Sequence, residues 1–191
     1  QADARGRPLK SATHTGFERL IAGRTLALMD VGVPAPAGSD ATAAAGTLAL
    51  EVSVGKERLI VNCGAHPSQS GAWRQALAAT AAHSTVTIAD TNSSEVLPAG
   101  GLGRRPGLVT CERQELEAGA VLVVATHDGY AQNAGLLHRR RVYLADSGED
   151  LRGEDTLEPV LGRQPPPQNF AVRFHLHPGA APVLSETGDA A

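Results

Sequence analysis

The sequence predicts an all-β chain folded as a two-layer, mostly antiparallel β-sandwich. Three observations carry this prediction. Strand-like apolar runs recur at intervals of about 8 to 15 residues, Gly, Pro, Asn and Asp separate them, and the apolar pattern inside the runs has a period of two. The 191 residues are 42% hydrophobic and 19% charged, which is ordinary globular composition and enough apolar surface for a core. The chain reads as one domain over 15–191, preceded by an irregular lead-in over 1–14.

In order, the runs are "RTLALMDVG", "GTLALEVSVG", "ERLIVNCG", "STVTIAD", "LVTCERQEL", "AVLVVATHDGY", "RRVYLADSG" and "FAVRFHLHP". In the second, Leu48, Leu50 and Val52 share one face while Thr47, Ala49 and Glu51 share the other. In the last, Phe170, Val172, Phe174 and Leu176 are expected on the core face, with Arg173, His175 and His177 opposite. Gly55, Gly129 and Gly148 stand where hairpin turns call for φ > 0. "GAWRQALAATAAH" has helical spacing of Trp73, Leu77 and Ala81, whereas 34–46 and 163–169 read as loops rich in Pro or small residues. The closing "SETGDAA" resembles the start of a further hairpin, leaving an edge that favours homo-oligomer formation.

Composition excludes several classes. A net charge of -3 gives no footprint for a phosphate backbone, and Arg139-Arg140-Arg141 reads as a solvated edge, so no nucleic-acid partner is expected. No apolar run reaches the length of a membrane span. Cys63 and Cys111 lack zinc-knuckle spacing and disulfide density. The six aromatic residues, Phe17, Trp73, Tyr130, Tyr143, Phe170 and Phe174, are expected mostly in the core, which argues against an exposed aromatic platform for sugars.

The seven histidines, His14, His66, His83, His127, His138, His175 and His177, are the most informative polar residues. His83 opens a strand, where a side chain is held by the sheet yet open to a cleft; a hydrogen-bonded structural histidine is the alternative. In "THDGY", His127, Asp128 and Tyr130 place acid-base groups beside a phenol, against the simpler reading of a tight turn with a packed Tyr. Asp90 reads as a turn residue. His175 and His177, two apart on a strand, can face one substrate or ion, although H-x-H also suits a solvated face. The catalytic candidates are thus His83, His127 and Tyr130, and the substrate-binding candidates His175 and His177.

At "HTGFERLIAGRTLALMDVG", "AAAGTLALEVSVGKERLIVNCG", "ATAAHSTVTIADTNSSE", "ATHDGY" and "VRFHLHP" the chain resembles the C-terminal β-sandwich region of bacterial heparinase II/III-like proteins, in the same order from about Thr15 to Pro178. The resemblance implies a polysaccharide lyase in which a helical toroid precedes this portion and β-elimination acts on uronate-containing glycans such as glycosaminoglycans. Such a reaction needs a neutraliser for the carboxylate, a base for the C5 proton and an acid for the departing oxygen, and His and Tyr suit these roles. In the family most of these groups come from the toroid, so the isolated domain is expected to be structural, cleft-supporting and inactive.

Relatives also carry a structural zinc. His83 in "AHST" matches one ligand position, but Ala44 and Asn62 replace the other two, so no metal and no cofactor are expected. Polysaccharide, met through the full-length protein, and the N-terminal toroid are the implied partners, and the family places its members in the periplasm or cell envelope. The alternative is a non-catalytic glycan-binding or structural cell-envelope module.

Overall fold

The structure is a computed structural model that describes residues 11–12, 15–64 and 71–183. A six-stranded sheet has the order β1 (Ser11–Ala12), β2 (Phe17–Ala22), β3 (Thr25–Asp30), β4 (Leu50–Val54), β5 (Glu57–Val61), β12 (His175–Leu176). A four-stranded sheet has the order β10 (Leu151–Pro159), β9 (Leu136–Leu144), β8 (Val121–His127), β7 (Val109–Glu115). β6 (Val86–Ile88) and β11 (Phe170–Val172) form a short third sheet. Every pairing is antiparallel.

The period-two pattern explains how the two larger sheets meet. Leu20, Ala27, Met29, Leu50 and Val52 from one pack with Val121, Val123, Ala125, Val142 and Leu144 from the other in one buried cluster, which Leu48 joins. Removing such side chains from water is the main stabilising contribution, about 1.5–3 kcal/mol for each fully buried Val or Leu. A second cluster of Val86, Ile88, Tyr130, Ala134 and Leu136 lies under the short sheet. α1 (Ala72–Ala78) falls within the segment of helical spacing, and a 3-10 turn at Thr80–Ala82 follows it. Gly148 turns β9 into β10 at φ +77°, and a Cβ there would lie 2.1 Å from the Ala22 carbonyl oxygen, so both conformation and space demand glycine.

Several expectations change. The 1–14 lead-in contains β1, paired with β2. "LRGEDTLEP", without a clean alternation, is nevertheless the nine-residue strand β10, held by its register with β9. The arginine triplet is no solvated edge: β9 starts at Leu136 and runs inside its sheet, so alternation turns Arg139 and Arg141 outward to Glu158 and Glu154 and drives Arg140 inward to 2% exposure.

The last segment is reversed relative to the reading of its apolar pattern. Phe170, Val172 and Leu176 face outward at 62%, 39% and 41% exposure, and Phe174, 48% exposed, sets its ring against the Arg140 guanidinium, 5.6 Å from the ring centroid. Its inner side meets polar backbone rather than an apolar layer: Arg173 donates to Thr87 Oγ1 at 2.6 Å, and His175 bonds the Ala81 carbonyl at 2.9 Å. Donors therefore turn in and, apart from Phe174, the apolar side chains turn out. The aromatics follow suit, since Phe17, Trp73, Phe170 and Phe174 are exposed and Tyr130 alone is fully buried, against the expectation that most of the six aromatics lie in the core. The "SETGDAA" segment, His14 and His66 lie outside the described residues.

Candidate functional site

Two groups of polar side chains stand apart, one sealed between the sheets and one lining an open cleft. The sealed group is built by register. β8 and β9 place His127 opposite His138, and β9 and β10 place Arg140 opposite Asp155. The Gly129 amide donates to His127 Nδ1 at 3.0 Å, which leaves the proton on Nε2. That Nε2–H donates to His138 Nδ1 at 3.2 Å, and His138 Nε2–H in turn donates to Asp155 Oδ1 at 2.7 Å. Arg140 holds the same carboxylate bidentately, Nε to Oδ1 at 2.7 Å and Nη2 to Oδ2 at 2.9 Å, and its Nη1 donates to the carbonyls of Leu48 at 2.8 Å and Ser84 at 2.7 Å.

The charges follow from this geometry. Burial is the largest influence on both imidazoles and lowers their pKa, keeping them neutral. Burial alone would raise Asp155, but hydrogen bonds from His138 and Arg140 outweigh it and hold the carboxyl at about 2. Tyr130 donates its hydroxyl to the Val86 carbonyl at 2.6 Å and is fully buried, which pushes its pKa up. His127 and Tyr130 therefore sit in the core with every polar atom occupied, and Asp128 accepts the Gly107 and Leu108 amides as a loop anchor. Gly129, expected at φ > 0, is absent from the left-handed set; it is glycine because a Cβ would lie 2.6 Å from Ser93 O and 2.9 Å from His127 Nδ1. Asp90 and its neighbour Ala89 do take positive φ, in the turn that follows β6.

The cleft has a volume of about 1100 Å³ and is walled by β2–β4, the 41–46 segment, α1 and the 96–101 loop. Asp40 holds two of these walls together, accepting from Leu102 N at 3.0 Å and from Arg105 at 2.8 Å. Its polar lining includes Asp30, Glu51, Asn62, Arg74 and His83, and Phe17 adds an exposed ring. His83 Nδ1–H donates to the Ala79 carbonyl at 2.9 Å, leaving Nε2 as a bare acceptor. Burial is the main reason its pKa is lowered. Asp30 accepts the Gly32 amide at 3.1 Å, yet burial prevails and raises its carboxyl to about 6.

The three positions matched to a zinc site, Ala44, Asn62 and His83, do line this one cleft. Their chemistry does not fit zinc. Ala44 has no donor atom, Asn62 Oδ1 accepts the Ser84 amide at 2.8 Å while its Nδ2 donates to Glu51 at 2.9 Å, and one imidazole nitrogen is left. Among the described residues no group of three or more His, Cys, Asp or Glu is placed to hold a metal ion. His175 and His177 do not form a joint site: the first bonds Ala81 and Cys63, and the second accepts the Gly179 amide at 3.1 Å. Asp30, Glu51 and Arg74 were missed as lining residues because three separate elements carry them: the only sequence signal of Asp30 and Glu51 was polarity on the strand face opposite the core, and Arg74 was one polar residue of a short helix.

Fold and sites together define a β-sandwich module with a sealed polar core and an open cleft. The family model described as heparinase II/III-like, C-terminal, matches residues 4–191, and the chain belongs to that family. It is 35% identical over 201 residues to the FtsZ-localized protein C of Caulobacter vibrioides, covering 97% of this chain and 34% of that protein, so it spans about a third of that relative's length. The fold is similar to that of a heparan sulfate lyase HepC mutant from Pedobacter heparinus, with a TM-score of 0.65 and 16% identity, over 91% of this chain and 25% of the other. No helix among the described residues is long and apolar enough to cross a membrane.

Two outcomes test these assignments. Asp155→Ala leaves the buried Arg140 without its counter-ion and is expected to cost about 3–5 kcal/mol in denaturant unfolding, whereas Arg139→Ala, on the outer face, costs under about 1 kcal/mol. For Asp30, the raised folded pKa means that its stabilising contribution is complete below the unfolded value and is lost as pH rises through about 6. Asp30→Asn, which mimics the protonated carboxyl, is expected to stabilise the protein by about 1–3 kcal/mol at pH 7.5, by about half of that at pH 5, and by little once pH falls below the ordinary carboxylate value. A pH-independent difference would contradict the assignment.

Proposed function

We propose that this chain is a non-catalytic, glycan-binding β-sandwich domain of a longer heparinase II/III-like protein, and that the cleft is its sugar site. One observation carries this reading: the side chains resembling acid-base machinery, His127 and Tyr130, are fully enclosed and saturated, while the cleft displays hydrogen-bonding groups suited to hydroxyls. Asp30, Glu51 and His83 Nε2 accept from sugar hydroxyl or amino groups, Arg74 donates, and the Phe17 ring offers an apolar face for a pyranose. With two carboxylates, one guanidinium and a neutral imidazole, the lining favours neutral or amine-bearing sugars over uronates.

Any β-elimination in the longer protein takes its base and acid from outside this domain, from the helical toroid that the family resemblance implies. The zinc of relatives has no part in it. Placement in the periplasm or cell envelope belongs to the same family-based reading. A second reading, a protein-docking module, has two supports: the FtsZ-localized relative, similar along nearly the whole chain, and the outward apolar row of Phe170, Val172 and Leu176.

Calorimetric titration of the protein with neutral, amino-sugar and uronate oligosaccharides separates the readings. The expected result is binding of neutral or amino-sugar chains, weakened about tenfold or more (about 1.4 kcal/mol) by Glu51→Gln or Arg74→Ala, without any ultraviolet-absorbing unsaturated product. Unsaturated product released by this domain alone overturns the non-catalytic assignment. Absence of any sugar binding overturns the glycan assignment and leaves the docking reading.

A further inference from the structure

β5 ends at Val61, and the chain continues to Cys63, whose amide donates to the Ala82 carbonyl at 3.0 Å. Asn62 and Gly64 line the cleft, while the intervening Cys63 meets His175 instead. His175 is brought there by β12, where it pairs with Val61 and its own amide donates to Ser84 Oγ at 2.9 Å.

The His175 tautomer is set by its partners. Nε2 lies 2.9 Å from the Ala81 carbonyl oxygen, which can only accept, so the proton is on Nε2 and Nδ1 keeps a bare lone pair. Cys63 Sγ sits 3.7 Å from that Nδ1. The S–H therefore donates to a nitrogen able to take its proton, and the carbonyl behind the ring both orients the imidazole and stabilises its cation. Nucleophile, base and orienting acceptor in series are the arrangement that activates a thiol. One 3-10 turn, Thr80–Ala82, supplies the carbonyl that fixes the cysteine backbone and the carbonyl that fixes the histidine ring. Among the described residues the other thiol, Cys111, has no such base, and burial with the nearby Glu18 charge pushes it up to about 11.

We propose that Cys63 and His175 form a thiol–imidazole pair that undergoes thiol–disulfide exchange with small-molecule disulfides. The Cys63 proton passes to His175 Nδ1, and the thiolate attacks one sulfur of the disulfide. As the new S–S bond forms, the old one breaks, and the departing thiolate takes the proton from His175. The balance is Cys63–SH plus R–S–S–R giving Cys63–S–S–R plus R–SH, with the disulfide as the only oxidant.

Incubation of the protein with oxidised glutathione, followed by peptide mass spectrometry, reads both cysteines in one sample. Cys63 is expected to be modified at least about tenfold faster than Cys111, and His175→Gln is expected to slow Cys63 about tenfold while leaving Cys111 unchanged. Comparable rates at the two cysteines in the folded parent protein overturn the proposal, as does an unaltered Cys63 rate in a folded His175→Gln variant. Should that variant unfold, the parent protein alone decides: the rate ratio must collapse towards one in urea, and a ratio that persists unchanged in the unfolded chain overturns the proposal.

Discussion

The rest of the structure depends on a guanidinium placed where solvent cannot reach it. Arg140 is a cation between two β-sheets, and such a charge is tolerated only when it is neutralised and hydrogen-bonded. Asp155 supplies the counter-charge and accepts two of the five N–H groups, and the Leu48 and Ser84 carbonyls accept two more. These partners come from β10, from the turn entering β4 and from the segment entering β6, so one side chain gathers both layers of the sandwich. Leu48 turns its carbonyl to the arginine from a left-handed backbone at φ +61°, a conformation that costs a branched residue energy and is held by the surrounding bonds.

The position of the cleft follows from that junction. Ser84 is adjacent to His83, and Asn62 bonds the Ser84 amide from across the cleft wall. Where relatives are expected to bring a metal to this corner, the chain uses Asn62 as a two-sided amide linker between Glu51 and Ser84. The corner is thus closed by hydrogen bonds rather than coordination, which leaves Glu51 and His83 Nε2 facing the cleft. The same turn that positions His83 also fixes Cys63 and His175 on its other side, so cleft and thiol share a scaffold.

The sandwich itself was legible because burial between two sheets imposes alternation, and β3, β4 and β8 obey it cleanly. The rest was hidden for physical reasons. β10 is stabilised by its register with β9 rather than by an apolar face of its own, so its charged sequence carried no strand signal. Alternation in 170–177 was real, but it does not say which face is inward; the carbonyl-rich segment beneath selected the polar one. Arg140 was indistinguishable from its neighbours until strand phase assigned it to the core. Of the site candidates, His83 was placed at a cleft by its position ahead of a strand, whereas the enclosure of His127 and Tyr130 required knowledge of what packs over them.

The histidine pair facing Asp155 forms a neutral, one-directional hydrogen-bond chain that serves the fold rather than a reaction. Nitrogen-15 NMR of the imidazole rings tests it directly, because protonated and bare ring nitrogens give distinct shifts. His127 and His138 are both expected to carry their proton on Nε2 and to be neutral at pH 7.5. A charged ring or an Nδ1–H tautomer at either residue at that pH would contradict it.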